Sequence, residues 1–204
     1  EVMYASLFPE LENKPGTITI EADKRLIPCF KRSFPKLAFI EKQRGNSEFL
    51  QQFTKQTWLA SLPKFMRNRS DDFKPHNGYL SIDKSLSEQL RKKYRAPDTK
   101  LLIGISWQSQ NPDFGQQRSI AIDRLQSVLK TSTCQFINLQ YGISKSDIDD
   151  LNRHLNCQII HDESINPLNN IGDFLAQIAA CDLVISIDNS TVHFAGAMGI
   201  PVWA

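Results

Sequence analysis

The sequence has little that commits it to a special environment. Its four cysteines, Cys29, Cys134, Cys157 and Cys181, stand far apart and form no CxxC pair, which argues against a zinc ribbon or a disulfide scaffold. Three of them lie in or beside apolar segments, where a reduced cysteine acts as a small hydrophobe. No apolar run reaches the roughly 18 residues of a membrane span, and no signal-peptide pattern opens the chain. An excess of one charge is missing too. Lys and Arg number 24 against 22 Asp and Glu, for a net charge of +2. With no long basic block, the chain carries no electrostatic footprint for a nucleic-acid duplex. What remains is globular: 41% hydrophobic and 23% charged residues over a length of 204, enough for one large domain or two small ones. The expected location is the cytoplasm.

Both ends of the sequence look internal to a domain. Val2 to Phe8 is an apolar stretch with no start signal before it, and Ile200-Pro201-Val202-Trp203-Ala204 reads as the opening of a strand. The expectation is a piece of a longer protein.

From about Lys100 onward, strand and helix patterns alternate. Leu101 to Ser106 is a short apolar run of the kind that fills a buried parallel strand. Ile122, Leu125, Val128 and Leu129 then recur at helical spacing. A strand follows over Cys134 to Leu139, then a helix with Ile148, Leu151 and Leu155. Cys157 to Ile160 is a third strand. Phe174, Leu175, Ile178 and Ala179 mark a helix, and Asp182 to Ile187 a fourth strand. Thr191 to Met198 is a helix ended by Gly199, with Pro201 just beyond. This order predicts an open, parallel α/β sheet.

The first part is less regular. Thr17 to Ile20 and Leu37 to Ile40 suit strands around a helix with Leu26, Phe30 and Phe34. Trp58, Leu62, Phe65 and Met66 fit one face of a helix with Pro63 near its start. Leu86, Leu90 and Tyr94 lie on a helix rich in basic residues. The polar break Arg95 to Thr99 places the expected domain boundary, giving domains 1–95 and 96–204.

In open α/β sheets ligands bind outside the carboxyl ends of the strands, and four polar clusters fall there. Asp188-Asn189-Ser190-Thr191-Val192-His193 follows the fourth strand and enters a helix. If Asn189 or Ser190 caps that helix, free N–H groups and the positive dipole end face a ligand, which suits a diphosphate. His193 in the first turn could reach a phosphate oxygen, and Asp188 could hold a hydroxyl. Equally, Asn189 and Ser190 could only cap the helix, with His193 on its polar side.

Ser106-Trp107-Gln108-Ser109-Gln110 follows the first strand without the glycines of a dinucleotide fingerprint. It is either a phosphate or sugar contact or a solvated loop. Arg118 can bind two phosphate oxygens at once, or be a surface charge. Gln140-Tyr141-Gly142 could meet a base or ribose, or be an ordinary turn. His161-Asp162-Glu163 has no partner at metal spacing, so no metal site is expected. Lys84, Arg91, Lys92, Lys93 and Arg95 form a basic helix face without the interleaved aromatics of a nucleic-acid platform.

The run from Asp188 to Trp203 resembles the late signature of the heptosyltransferase-like glycosyltransferases, family 9, in the branch found behind tetratricopeptide repeats in bacteria. Segments similar to that branch run in order along the chain: Asp23 to Pro28 with Arg32 to Pro35, Ala60 to Pro63, Ile103 to Trp107, Arg118 to Ile120 and Phe136 to Gly142. The resemblance implies a GT-B architecture, two Rossmann-like α/β domains facing across a cleft, both incomplete here. The donor would sit mainly on the second domain. Asp188, Asn189, Ser190, Thr191 and His193 would meet its diphosphate or sugar, and Arg118 would neutralise phosphate. Ser106 and Gln108 would line the pocket, with Gln140 and Tyr141 near the nucleoside.

Such an enzyme needs neither metal nor cofactor, its substrate being a nucleotide-sugar and its acceptor a glycan, a lipid-linked sugar or a protein side chain. A site peripheral to the inner membrane is compatible with this. Two departures stand out. The family's phosphate loop, with the acidic residue that serves as general base, would precede Glu1. Gln108 stands where relatives often carry Arg after the tryptophan. The alternative is a non-catalytic binding module of the same fold, recognising a nucleotide or a protein partner.

Overall fold

Four phenylalanines organise the N-terminal part of the chain in the computed structural model, which describes residues 1–43 and 47–204. Phe8 meets Phe30 and Phe34 edge-on, with ring centroids 5.5 and 5.2 Å apart, and Phe30 lies 5.6 Å from Phe39. Such pairs add about 0.5–1.5 kcal/mol beyond the area they bury. They join α1 (Phe8–Leu11), β1 (Thr19–Ala22), α2 (Ile27–Ser33) and β2 (Ala38–Glu41) into one small core. β1 and β2 pair in parallel, with Ile20 opposite Phe39. α3 (Ser47–Leu50) and α4 (Leu62–Met66) follow. The expected strand–helix–strand is present, and Pro63 lies in the first turn of α4, where its missing N–H costs nothing. The apolar face expected there is not buried: Trp58 is 83% and Phe65 66% exposed.

The second unit carries α5 (Lys84–Tyr94), β3 (Leu101–Ser106), α6 (Gly115–Arg118), α7 (Gln126–Leu129), β4 (Cys134–Asn138), α8 (Lys145–Leu155), β5 (Ile159–Ile160), α9 (Ile171–Ala179), β6 (Leu183–Ser186), α10 (Ser190–Ala197) and β7 (Val202–Trp203). Its strands are all parallel, in the order β5-β4-β3-β6-β7. β3 lies at the centre with Leu102, Ile103 and Ile105 buried, so it reads as a continuous apolar run rather than an alternating one. Gly104 lets β3 and its surroundings close up, since a Cβ there would fall 2.3 Å from Leu139 Cδ1. Among the described residues no helix is long and apolar enough to cross a membrane.

The two compact units are Glu1–Ser81 and Ile82–Ala204, so the division lies ahead of the expected one at residue 95. The reason is α5, which is fastened to the second unit. Arg91 donates to the Ala180 carbonyl at 2.7 Å and pairs with Asp182, whose other oxygen accepts from Leu102 N–H at 2.8 Å. Tyr94 Oη donates to Asp162 at 2.6 Å, and Gln177 Nε2 donates to Tyr94 Oη at 3.1 Å. Lys93 reaches the same carboxylate at 2.7 Å. Two members of the expected basic face, Arg91 and Lys93, are therefore tied down by these ion pairs. The polar break from Arg95 to Thr99 is the turn between α5 and β3.

Burial pushes the Asp162 carboxyl up, but hydrogen bonds from Lys93, Ser164 and Tyr94 outweigh it and hold the group at about 2. A depressed carboxylate stabilises the fold above its unfolded value near 4, and that stabilisation is lost as pH falls through the folded value. We expect on the order of 2 kcal/mol to disappear between about pH 4 and pH 2. In urea titrations across that range, Asp162→Asn should be less stable at pH 7 and lack this loss. A variant with the wild-type acid dependence would contradict the assignment.

Candidate functional site

The strand order changes direction at β3. From β3 the chain moves outward to β4 and β5, then returns to the other edge to place β6 and β7. Loops leaving the carboxyl ends of β3 and β6 diverge, and the crevice between them is where open parallel sheets bind ligands. Residues 106–108 lie on one side of this switch point and residues 188–191 on the other.

Asn189 caps α10: its Oδ1 accepts from Thr191 N–H at 2.9 Å. The cap leaves the remaining first-turn N–H groups of α10 and its positive dipole end at the switch point. The Asn189 amide also crosses the site, with Nδ2 donating to Ser106 Oγ at 2.8 Å. Ser106 Oγ in turn donates to Gln140 Oε1 at 3.2 Å, and Trp107 and Gln108 N–H donate to the same oxygen at 3.1 and 2.9 Å. Ser106 and Gln140 are buried, so these side chains brace the loops they belong to. Trp107, in the cluster that reads as either a ligand contact or a solvated loop, is in the core among Ile105, Phe136 and Ile148.

Five of the expected contacts face solvent: Gln108, Arg118, Asp188, Ser190 and His193. Arg118, at the end of α6, pairs with Asp188 at 3.3 Å, with side chains 49% and 66% exposed. Such a pair contributes under about 1 kcal/mol, so a more highly charged anion can take the guanidinium from it. α6 reaches this position because Gly115 sits against the Ser109 carbonyl, 2.5 Å from where a Cβ would stand. Ser119 Oγ accepts from Ser109 N–H at 3.0 Å and fixes the same loop. Thr191 is fully buried, and its Oγ1 finds no hydrogen-bond partner among the described residues.

A cavity of about 330 Å³ opens beside the switch point, past the carboxyl ends of β4 and β5, within the size range of ligand pockets. Gln140, Tyr141, Asn138, His161, Phe174 and Gln177 contribute to its wall. Tyr141 stands edge-on to Phe174 at 5.7 Å. Of these, sequence reasoning singled out only Gln140 and Tyr141 as binding residues. Asn138 ends a strand, Phe174 and Gln177 lie on α9, and His161 was weighed only as a metal ligand. A polar residue closing an apolar strand, as Asn138 does, was the available signal. Asp162, next to His161, is committed to Lys93, Tyr94 and Ser164. Among the described residues no three His, Cys, Asp or Glu side chains converge as a metal set.

The fold of the two parallel α/β units is that of the GT-B glycosyltransferases. The structure of E. coli ADP-heptose LPS heptosyltransferase II matches 98% of this chain and 79% of its own length, at 14% identity and a TM-score of 0.62. A family 9 glycosyltransferase from Veillonella parvula matches 98% of this chain and 76% of its own, also at 14% identity, with a TM-score of 0.65. In sequence, the chain is 26% identical to Protein FlbA of Caulobacter vibrioides over 218 residues, covering all of this chain and 37% of FlbA. The chain thus spans little more than a third of that relative. No family model matches the sequence.

Loss of the cap should be measurable without any ligand. Asn189→Ala should cost about 1–2 kcal/mol in denaturant unfolding, the usual range for an N-cap amide. An unchanged midpoint would show that Asn189 does not hold α10.

Proposed function

We propose that this chain is the donor-binding part of a glycosyltransferase that moves a sugar from a nucleotide-sugar to an acceptor hydroxyl without a metal. The observation that carries this reading is the switch point itself: the N-terminus of α10, with Arg118 beside it at Asp188, meets the β3 loop next to a cavity of nucleoside size. The GT-B fold supports it. In the reaction the acceptor oxygen forms a bond to the anomeric carbon as the bond from that carbon to the diphosphate oxygen breaks. The hydroxyl proton passes to a base, a role assigned to none of the residues named here, and the diphosphate leaves with the electron pair. The negative charge that develops there is met by the α10 N–H groups, which are fixed before the reaction, and by His193 and Arg118, whose guanidinium passes from Asp188 to the phosphate.

The nucleoside is assigned to the cavity wall at Tyr141. Ser190 supplies a first-turn N–H group, the capped Thr191 holds the start of the helix beside it, Asp188 supplies a hydroxyl contact on the sugar, and Gln108 a neutral contact in place of a cation. The donor base, the sugar and the acceptor, whether glycan, lipid-linked sugar or protein, are left open. We place the chain in the family 9 branch that follows tetratricopeptide repeats, at a cytoplasmic or inner-membrane-peripheral site. One observation favours a non-catalytic binding module instead: Gln108 lacks the positive charge that relatives often carry there.

A thermal-shift screen of the protein against UDP, ADP, GDP and CMP tests this reading. A ligand at 100 times its Kd should stabilise by about 2.7 kcal/mol, a visible shift in Tm. The expected result is that one nucleotide stands out, and that His193→Ala and Arg118→Ala remove its shift while melting like the wild type without ligand. Sugar transfer from the matching donor should be lost in both variants. Transfer retained in both would overturn the assigned roles, and binding without transfer would favour the binding module.

A further inference from the structure

The polar side chains at the carboxyl ends of the second sheet form one continuous hydrogen-bonded series. Asn138 Nδ2 faces His161 Nδ1 at 2.9 Å, and Asn138 Oδ1 accepts from Gln140 N–H at 3.0 Å. The second bond fixes the orientation of the Asn138 amide, so His161 Nδ1 is the acceptor and the ring proton is on Nε2. Gln140 Oε1 then accepts from Ser106 Oγ, Trp107 N–H and Gln108 N–H. Ser106 Oγ accepts from Asn189 Nδ2, and Asn189 Oδ1 accepts from Thr191 N–H. The series therefore runs from the end of β5, through β4 and β3, to the first turn of α10.

Gln140 is its centre. A carbonyl oxygen offers two lone pairs, and Oε1 already takes three donors. Nε2 donates to the Tyr141 carbonyl at 3.2 Å. The residue is 5% exposed. The oxygen therefore has no lone pair left over for a ligand. Two consecutive backbone N–H groups turned onto one oxygen instead define the path of the chain as it leaves β3.

We propose that Gln140 is a positioning residue: its buried oxygen sets the β3 loop and, through Ser106 and Asn189, holds the N-terminus of α10 against it. The switch-point site is then one preformed unit, with its geometry fixed before anything binds. The functional reading above enters only through the identity of the ligand, because the hydrogen bonds exist in the free protein.

Amide hydrogen exchange of the free protein tests this directly. In Gln140→Leu, which keeps the bulk and removes the acceptor, protection at Trp107, Gln108 and Thr191 should fall about tenfold or more. Asp182 N–H, bonded to the Leu102 carbonyl at the opposite end of β3, should exchange as in the wild type. Gln140→Glu, which restores an oxygen at the same reach, should recover the protection at Trp107 and Gln108. A mere packing role would not distinguish Leu from Glu in this way. Unchanged exchange in Gln140→Leu would overturn the proposal.

Should Gln140→Leu fail to fold, Ser106→Ala carries the test. It should lower protection at Thr191 while Trp107 and Gln108 stay protected, and Thr191 exchange equal to the wild type would overturn the relay to α10. A parallel titration with UDP, ADP, GDP and CMP separates the two claims. If the wild type binds none, the functional reading fails while the exchange result still decides the positioning role. If one binds, its affinity should drop about tenfold in Gln140→Leu and return in Gln140→Glu.

Discussion

β3 is bonded along one edge to β4 and along the other to β6, both in parallel. The candidate site depends on that arrangement. Parallel pairing brings the carboxyl ends of the strands to one side of the sheet, and the reversal of strand order at β3 parts the two loops that leave there. The sheet accepts a residue as small as Gly104 at this point, because the pressure of Leu139 on β3 leaves no room for a Cβ. A hydrogen-bonded series of side chains then closes the gap that the diverging backbones open. Site and fold are thus consequences of the same strand order.

Electrostatics divides between two kinds of ion pair. Asp162 is buried and saturated by Lys93, Tyr94 and Ser164, so it anchors α5 to the sheet and is unavailable to a ligand. Asp188 and Arg118 face water and hold each other weakly. The first pair sets structure, and the second can be exchanged for an incoming phosphate. The same reasoning separates Ser106 and Gln140, whose side-chain oxygens are committed, from Gln108, Ser190 and His193, which remain at the surface.

Much of this was legible in the sequence, for physical reasons. Strands covered on both faces leave apolar runs such as Leu101 to Ser106, and Asn189 directly before a helix announces a cap that the structure contains. The unit boundary was less legible, because a polar break marks a turn whether or not a domain ends there. What assigns α5 is its grip on residues such as Asp162, 68 positions from Tyr94. The cavity was hidden for the same reason, since its wall comes from separate loops and α9. Ser106 and Gln140 were recognised as polar groups at strand ends. That they bond each other across 34 positions is a tertiary fact that no local pattern carries.

The central claim is that the reversal at β3 makes a preformed ligand site. Amide chemical shifts of the protein, followed during titration with whichever nucleoside diphosphate binds, test it most directly. The account predicts that shifts concentrate at Trp107, Gln108, Tyr141 and Asn189 to Thr191, with the rest of the sheet unmoved. Shifts centred elsewhere, for example around the exposed Trp58 and Phe65, would contradict it.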